Sequence, residues 1–131
     1  MSARPLPLAE TRVLLVDEDP SGAKLMSVVL AAGGAHVRSV RNADAALGTA
    51  IAFDPHIVVV DRVLGGEGAL ALSAALRRDE RTRGAAIVVV SGSNGHDDVA
   101  AAFAAGCAEY LRKPIDVDTF AETLAKHRRR P

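Results

Sequence analysis

Three short stretches hold the residues best suited to chemistry. Asp17-Glu18-Asp19 follows the apolar run Val13-Leu14-Leu15-Val16, Asp61 ends the run Ile57-Val58-Val59-Val60, and Lys113-Pro114 follows Tyr110-Leu111-Arg112. Strand-like apolar runs that stop at charged or hydroxyl residues deliver those residues to one edge of a parallel sheet, where open α/β folds place their ligands. Carboxylates and a lysine are thereby gathered in one crevice. A small set of carboxylates suits a hard divalent ion such as magnesium, which takes oxygen ligands in near-octahedral geometry.

The elements that must position these residues alternate regularly. Runs rich in β-branched residues are followed by Ala/Leu-rich segments with helical spacing, five times over. The pattern predicts strands at Arg12 to Val16, His36 to Val40, Ile57 to Val60, Ala86 to Val90 and Glu109 to Arg112. It predicts helices over about Ser21 to Ala31, to Ala52 after an Asn42 cap, Leu70 to Arg78, His96 to Ala105, and from an Asp116 cap to about His127. Gly33-Gly34 suits a left-handed helix terminus, and Ser93 or Asn94 can cap the fourth helix. Such alternation favours a doubly wound (βα)5 α/β fold with a parallel sheet and right-handed crossovers. In the flavodoxin-like strand order 2-1-3-4-5, Asp17, Glu18 and Asp61 meet at the switch point between strands one and three.

Composition fits one domain. The chain has 131 residues, 49% of them hydrophobic and only 3% aromatic, so its core must be aliphatic. Residues 11–127 form the expected domain, preceded by a flexible segment over residues 1–10 and followed by a basic tail over 128–131. Sixteen Lys and Arg balance sixteen Asp and Glu, which gives no global field for nucleic acid or an anionic membrane. Arg128-Arg129-Arg130 reads as a cap on the last helix dipole or the start of a linker. The single cysteine, Cys107, excludes an internal disulfide and implies a reducing compartment. No run approaches membrane-spanning length and none resembles a signal peptide, so a cytoplasmic location is expected.

Val13 to Pro20, Asp61, Ser91-Gly92 and Lys113-Pro114 together resemble the receiver domain of bacterial two-component response regulators, over about Arg12 to Lys126. Separations of thirty residues from Asp61 to Ser91 and twenty-two from Ser91 to Lys113 match the family's spacing. The resemblance implies that Asp61 accepts a phosphoryl group from a histidine kinase or a histidine phosphotransfer protein. It implies Mg2+ or Mn2+ as cofactor, with Glu18 and Asp61 as direct ligands, Asp17 holding a metal-bound water and the Val63 carbonyl supplying a further oxygen. Lys113 would neutralise a phosphoryl oxygen, Ser91 would donate to another, and Tyr110 would swing inward as Ser91 moves. On this reading the chain catalyses its own phosphorylation and dephosphorylation but is mainly a signalling switch.

Several positions depart from the family's usual pattern. Glu18 stands where Asp is commoner, keeping the carboxylate with a longer reach. In the loop Arg62-Val63-Leu64-Gly65-Gly66-Glu67-Gly68-Ala69 the glycines predict greater mobility without metal. Val63 and Ser93 border the phosphorylation site where the family tunes acyl phosphate hydrolysis, and an apolar Val63 cannot orient an attacking water.

The resemblance places the output surface on helix four, strand five and helix five, including His96, Asp97, Asp98, Tyr110 and Arg112. This surface would signal by contact with a downstream protein, with no direct contact to nucleic acid or membrane, from a monomer or a weak homodimer through the same face. A stand-alone regulator is favoured over a fragment of a larger one. Three rivals stand against this reading, one of them a phosphoaspartate-type hydrolase, which would want a second carboxylate two residues beyond Asp61, where Val63 stands. A pseudo-receiver would keep the fold without being phosphorylated, against which the intact acidic residues, Ser91 and Lys113 argue. A flavodoxin-like nucleotide binder would need a Gly- or Ser/Thr-rich phosphate loop where Asp17-Glu18-Asp19 stands.

Overall fold

The computed structural model describes residues 5–65, 68–92 and 95–128, with His96 described by its backbone only. Five strands and five helices alternate: β1 (Arg12–Val16), α1 (Pro20–Ala32), β2 (His36–Val40), α2 (Ala43–Phe53), β3 (Ile57–Asp61), α3 (Gly68–Arg78), β4 (Ala86–Ser91), α4 (His96–Ala104), β5 (Glu109–Arg112) and α5 (Phe120–Ala125). Every pairing is parallel and the strand order is β2-β1-β3-β4-β5, the expected flavodoxin-like order.

Side-chain alternation along the strands divides the core in two. Val13, Leu15, Ile57, Val59, Val88 and Val90 face α1 and α5. Leu14, Val16, Val58, Val60, Ile87 and Val89 face α2, α3 and α4. Because helices cover both faces, β3 is apolar on both sides and buried along its whole length. At the β2 edge, His36, Arg38 and Ser39 are exposed, and charged or polar side chains there discourage pairing with another strand.

Local chemistry sets the helix ends. Asp19 caps α1 by accepting from the Ser21 N–H at 3.1 Å, and Pro20 occupies the first turn, where its missing N–H costs nothing. Asn42 caps α2 through the Ala45 N–H at 2.8 Å. The two glycines after α1 divide their task differently from the expectation. Gly34 is left-handed (φ +100°), whereas Gly33 is right-handed (φ −80°) and is small because a Cβ there would lie 2.8 Å from the Ala121 Cβ of α5. Gly33→Ala is therefore expected to lower stability by about 1–3 kcal/mol through overpacking. Urea unfolding at an unchanged midpoint would contradict that contact.

Other boundaries also differ. α3 starts at Gly68, two residues before the predicted Leu70. α5 starts at Phe120, because the Asp116 carboxylate accepts from the Asp118 N–H at 3.0 Å and its carbonyl takes both the Thr119 and Phe120 N–H groups. Asp116 thus closes a turn, and regular helix begins only after it. The position before α4 is Gly95, which offers no side-chain cap, and the candidate caps Ser93 and Asn94 lie outside the described residues. The flexible segment expected over residues 1–10 does not hold at Leu8, which is fully buried beside α1 and donates its N–H to the Gly33 carbonyl at 2.8 Å. Arg128 donates to the Pro7 carbonyl at 3.2 Å, while Arg129 and Arg130 lie outside the described residues.

Candidate functional site

Strand register assembles the site. Val16 pairs with Val60 across β1 and β3, so the residues one step further, Asp17 and Asp61, emerge side by side at the carboxyl edge. Asp61 pairs with Val90, and the Arg62 N–H donates to the Val90 carbonyl at 2.8 Å, which brings Ser91 alongside. The Lys113 N–H donates to the Ser91 carbonyl at 2.8 Å, so the last strand delivers its lysine to the same edge. The Lys113–Pro114 peptide is cis.

Asp61 is the centre of the arrangement and is only 6% exposed. Its Oδ2 accepts from Lys113 Nζ at 2.8 Å and its Oδ1 from the Val63 N–H at 3.0 Å. Burial alone would raise the Asp61 carboxyl, but the lysine and the amide outweigh burial and hold its pKa below the ordinary value. Asp61 is accordingly a carboxylate at neutral pH. Asp17 meets the opposite balance: burial pushes it up to about 6, the Asp61 charge adds to this, and the Asp19 N–H on its Oδ1 at 2.9 Å only partly offsets it.

The second oxygen of Asp17 is buried and has no hydrogen-bond partner among the described residues. An orphaned carboxylate oxygen beside a second carboxylate is the donor set a hard divalent cation takes, and it has room. Position 22 is glycine, and a Cβ there would stand 3.1 Å from Asp17 Oδ2. Asp17 and Asp61 therefore fit such an ion. Glu18, expected as a direct ligand, is placed differently: it is exposed, and its Oε1 accepts from the Gly65 N–H at 2.6 Å. Among the described residues no three carboxylate, imidazole or thiol groups stand grouped for a metal in this arrangement, and Glu18 would have to leave Gly65 to complete one.

The loop after Asp61 is anchored by Leu64, which is fully buried, while Val63 is 72% exposed. Val63→Asn at so open a position is expected to leave stability unchanged and to shorten the life of an acyl phosphate at Asp61 by up to about tenfold, through orientation of the attacking water. An unchanged decay rate would count against this role. Gly66, Glu67 and Ser93, singled out from sequence, lie outside the described residues.

Ser91 is buried beneath the site. Tyr110 is half-buried against the α2/α3/α4 side of the core, with its hydroxyl donating to Asp98 Oδ2. Burial together with Asp98 raises its phenol above the ordinary pKa. Asp98 Oδ1 in turn accepts from Arg62 Nε at 2.8 Å. Sequence reasoning named Asp98 and Tyr110 as surface and switch residues but missed Arg62, because no local motif announces a contact spanning thirty-six positions. On the expected output face, Asp97 and Arg112 are exposed, while the His96 side chain lies outside the described residues.

The family model for the response regulator receiver domain matches residues 13–125. Protein PilH of Pseudomonas aeruginosa is 25% identical over 113 residues, covering 86% of this chain and 93% of PilH. The transcriptional regulator RpaA of Synechocystis is 29% identical over 117 residues, which is 89% of this chain; the chain spans 47% of RpaA's length. Among solved structures, a sensor protein from Polaromonas superposes with TM-score 0.81 at 32% identity, covering 90% of this chain and 95% of that one. The receiver domain of the sensor histidine kinase PA1611 from Pseudomonas aeruginosa superposes with TM-score 0.82 at 20% identity, covering 90% of this chain and 97% of that one, with a magnesium ion coordinated in its active site cleft.

Proposed function

This chain belongs to the response regulator receiver domain family, and on that premise we propose that it is a phosphoacceptor switch whose acceptor is Asp61. The observation that carries the reading is the Lys113–Asp61 pair at 2.8 Å, set beside the orphaned Oδ2 of Asp17. It combines an ionised nucleophile, a cation aimed at the place where phosphoryl oxygens would collect charge, and a buried carboxylate oxygen with no hydrogen-bond partner among the described residues.

In the transfer, an Asp61 carboxylate oxygen attacks the phosphorus of a phosphohistidine, the P–N bond breaks, and the imidazole leaves with its electron pair. Lys113 neutralises an equatorial oxygen, and the buried Ser91 hydroxyl donates to another. Asp17 and Asp61 would hold a divalent ion, with the Val63 carbonyl and, once released from the Gly65 amide, Glu18 as further donors, and the ion would supply charge neutralisation to the transferring group. Magnesium is the natural occupant of an all-oxygen set, with manganese as a substitute, and the PA1611 receiver holds magnesium in its own cleft.

The donor is a sensor histidine kinase or a histidine phosphotransfer protein, and the output is a change in the α4/β5/α5 face, read by a downstream protein in the cytoplasm of a bacterium. Among the described residues no helix is long and apolar enough to cross a membrane. The pseudo-receiver alternative has nothing in this geometry to favour it. Incubation with acetyl phosphate tests the proposal: one phosphoryl group should be gained with magnesium present and none after chelation by EDTA. A folded protein that gains none under either condition would overturn it.

A further inference from the structure

The Asp98 carboxylate joins two elements through its two oxygens. Oδ1 takes Arg62 Nε at 2.8 Å, and Oδ2 takes the Tyr110 hydroxyl. The Arg62 and Asp98 side chains are only 14% and 21% exposed, so this is a partly desolvated, charge-assisted contact, well above a surface ion pair in strength. Arg62 is the residue after Asp61 and its backbone is tied to β4 at Val90; Asp98 lies in the first turn of α4; Tyr110 lies on β5. A single carboxylate therefore links the loop that leaves the acceptor to the helix and the strand of the output face.

We propose that Arg62 and Asp98 are positioning residues that hold the Tyr110 ring in its half-buried place, so that displacement of the loop after Asp61 reaches Tyr110 through this latch as well as through Ser91. The physical reason is geometric. A guanidinium fixed at one oxygen orients the other oxygen toward the phenol, and Arg62 cannot shift without pulling Asp98 or releasing it. Holding Tyr110 does not require phosphorylation; the coupling of the latch to phosphorylation rests on Asp61 being the acceptor.

The chain contains one tyrosine and no tryptophan, so intrinsic emission reports Tyr110 alone. Acrylamide quenching of that emission, without any phosphodonor, compares the parent with Asp98→Asn, Arg62→Ala, Arg62→Lys and the double variant Arg62→Ala/Asp98→Asn. Both Asp98→Asn and Arg62→Ala are expected to raise the quenching constant by about twofold or more, the scale of coupling between contacting residues. The double variant should exceed neither single by much, and Arg62→Lys should fall between parent and Arg62→Ala. Unchanged quenching in the folded single variants, or fully additive effects in the double, would overturn the latch.

A second arm adds magnesium and acetyl phosphate, with phosphorylation read by mass. At equal phosphoryl content, the emission change of the parent should shrink about twofold or more in Arg62→Ala. An emission change of full size in Arg62→Ala would overturn the coupling. Failure of the parent to take up phosphate would instead count against the acceptor reading, leaving the quenching arm to decide the latch.

Discussion

Asp17→Asn is expected to make the metal-free protein more stable at neutral pH while weakening magnesium binding by about 10- to 100-fold, the usual cost of losing a carboxylate that serves a metal site. The sign follows from the raised Asp17 pKa. An unfolded aspartate titrates near its ordinary value, whereas Asp17 in the fold titrates at about 6, so between roughly pH 4 and pH 6 the folded state binds more protons than the unfolded one. Stability therefore falls as pH rises through that window, and at pH 7 the full penalty of a buried, partly unpaired charge is present. A shift of about two units corresponds to no more than about 3 kcal/mol, part of it shared with Asp61, whose charge adds to the rise. Asparagine removes this penalty, so the urea midpoint should rise at pH 7, with little of that gain left below pH 4. A lower midpoint at pH 7, or magnesium affinity equal to the parent's, would contradict the role given to Asp17.

Lys113→Ala carries the second large effect, in the opposite direction. Without the ammonium, burial governs Asp61 and lifts its pKa, so a smaller fraction is ionised and two carboxyl groups face each other with no cation. The rate of phosphoryl uptake should fall by about 10²–10³, the scale of losing one preorganised charge contact in a transition state. In the parent the folded-state pKa of Asp61 is depressed, so the pair contributes stability that is present above the unfolded value and is lost as pH falls through the folded one. Lys113→Ala should remove that contribution, about 1–2 kcal/mol after screening of the partly exposed lysine, and the loss should show at pH 7 and vanish under acid conditions. Uptake within about threefold of the parent would show that Lys113 is not the neutralising group.

Much of this site was legible because strands write their ends plainly. β1, β2 and β5 begin and end at the predicted residues, and Asp61 and Ser91, read as closing their strands, are their last members. Continuous apolar runs, buried on both faces of the sheet, are a strong one-dimensional signal, and a parallel sheet with short register offsets converts it directly into neighbours such as Asp17 and Asp61. Lys113 could be assigned to Asp61 from sequence only through family spacing, since the two stand fifty-two residues apart.

What was not legible depends on three-dimensional approach. Gly33 looks like a turn glycine, yet it is small because α5 crosses against it. Glu18 matches an acidic motif, but its longer side chain reaches the Gly65 amide instead of converging with Asp17 and Asp61. Asp116 has the right type for a cap, yet its side chain and carbonyl together close a turn and delay α5 to Phe120. The Arg62–Asp98–Tyr110 contact joins three elements whose sequences give no sign of one another.

The measurement that bears most directly on the central claim is location of the phosphoryl group. After incubation with magnesium and acetyl phosphate, borohydride reduction of an aspartyl phosphate converts that aspartate to homoserine, which peptide mass mapping can place in the chain. Homoserine at position 61 alone, and none in an Asp61→Asn variant treated in parallel, is the predicted result. Homoserine at Asp17 or another acidic residue, or phosphate retained by Asp61→Asn at the parent's level, would contradict it.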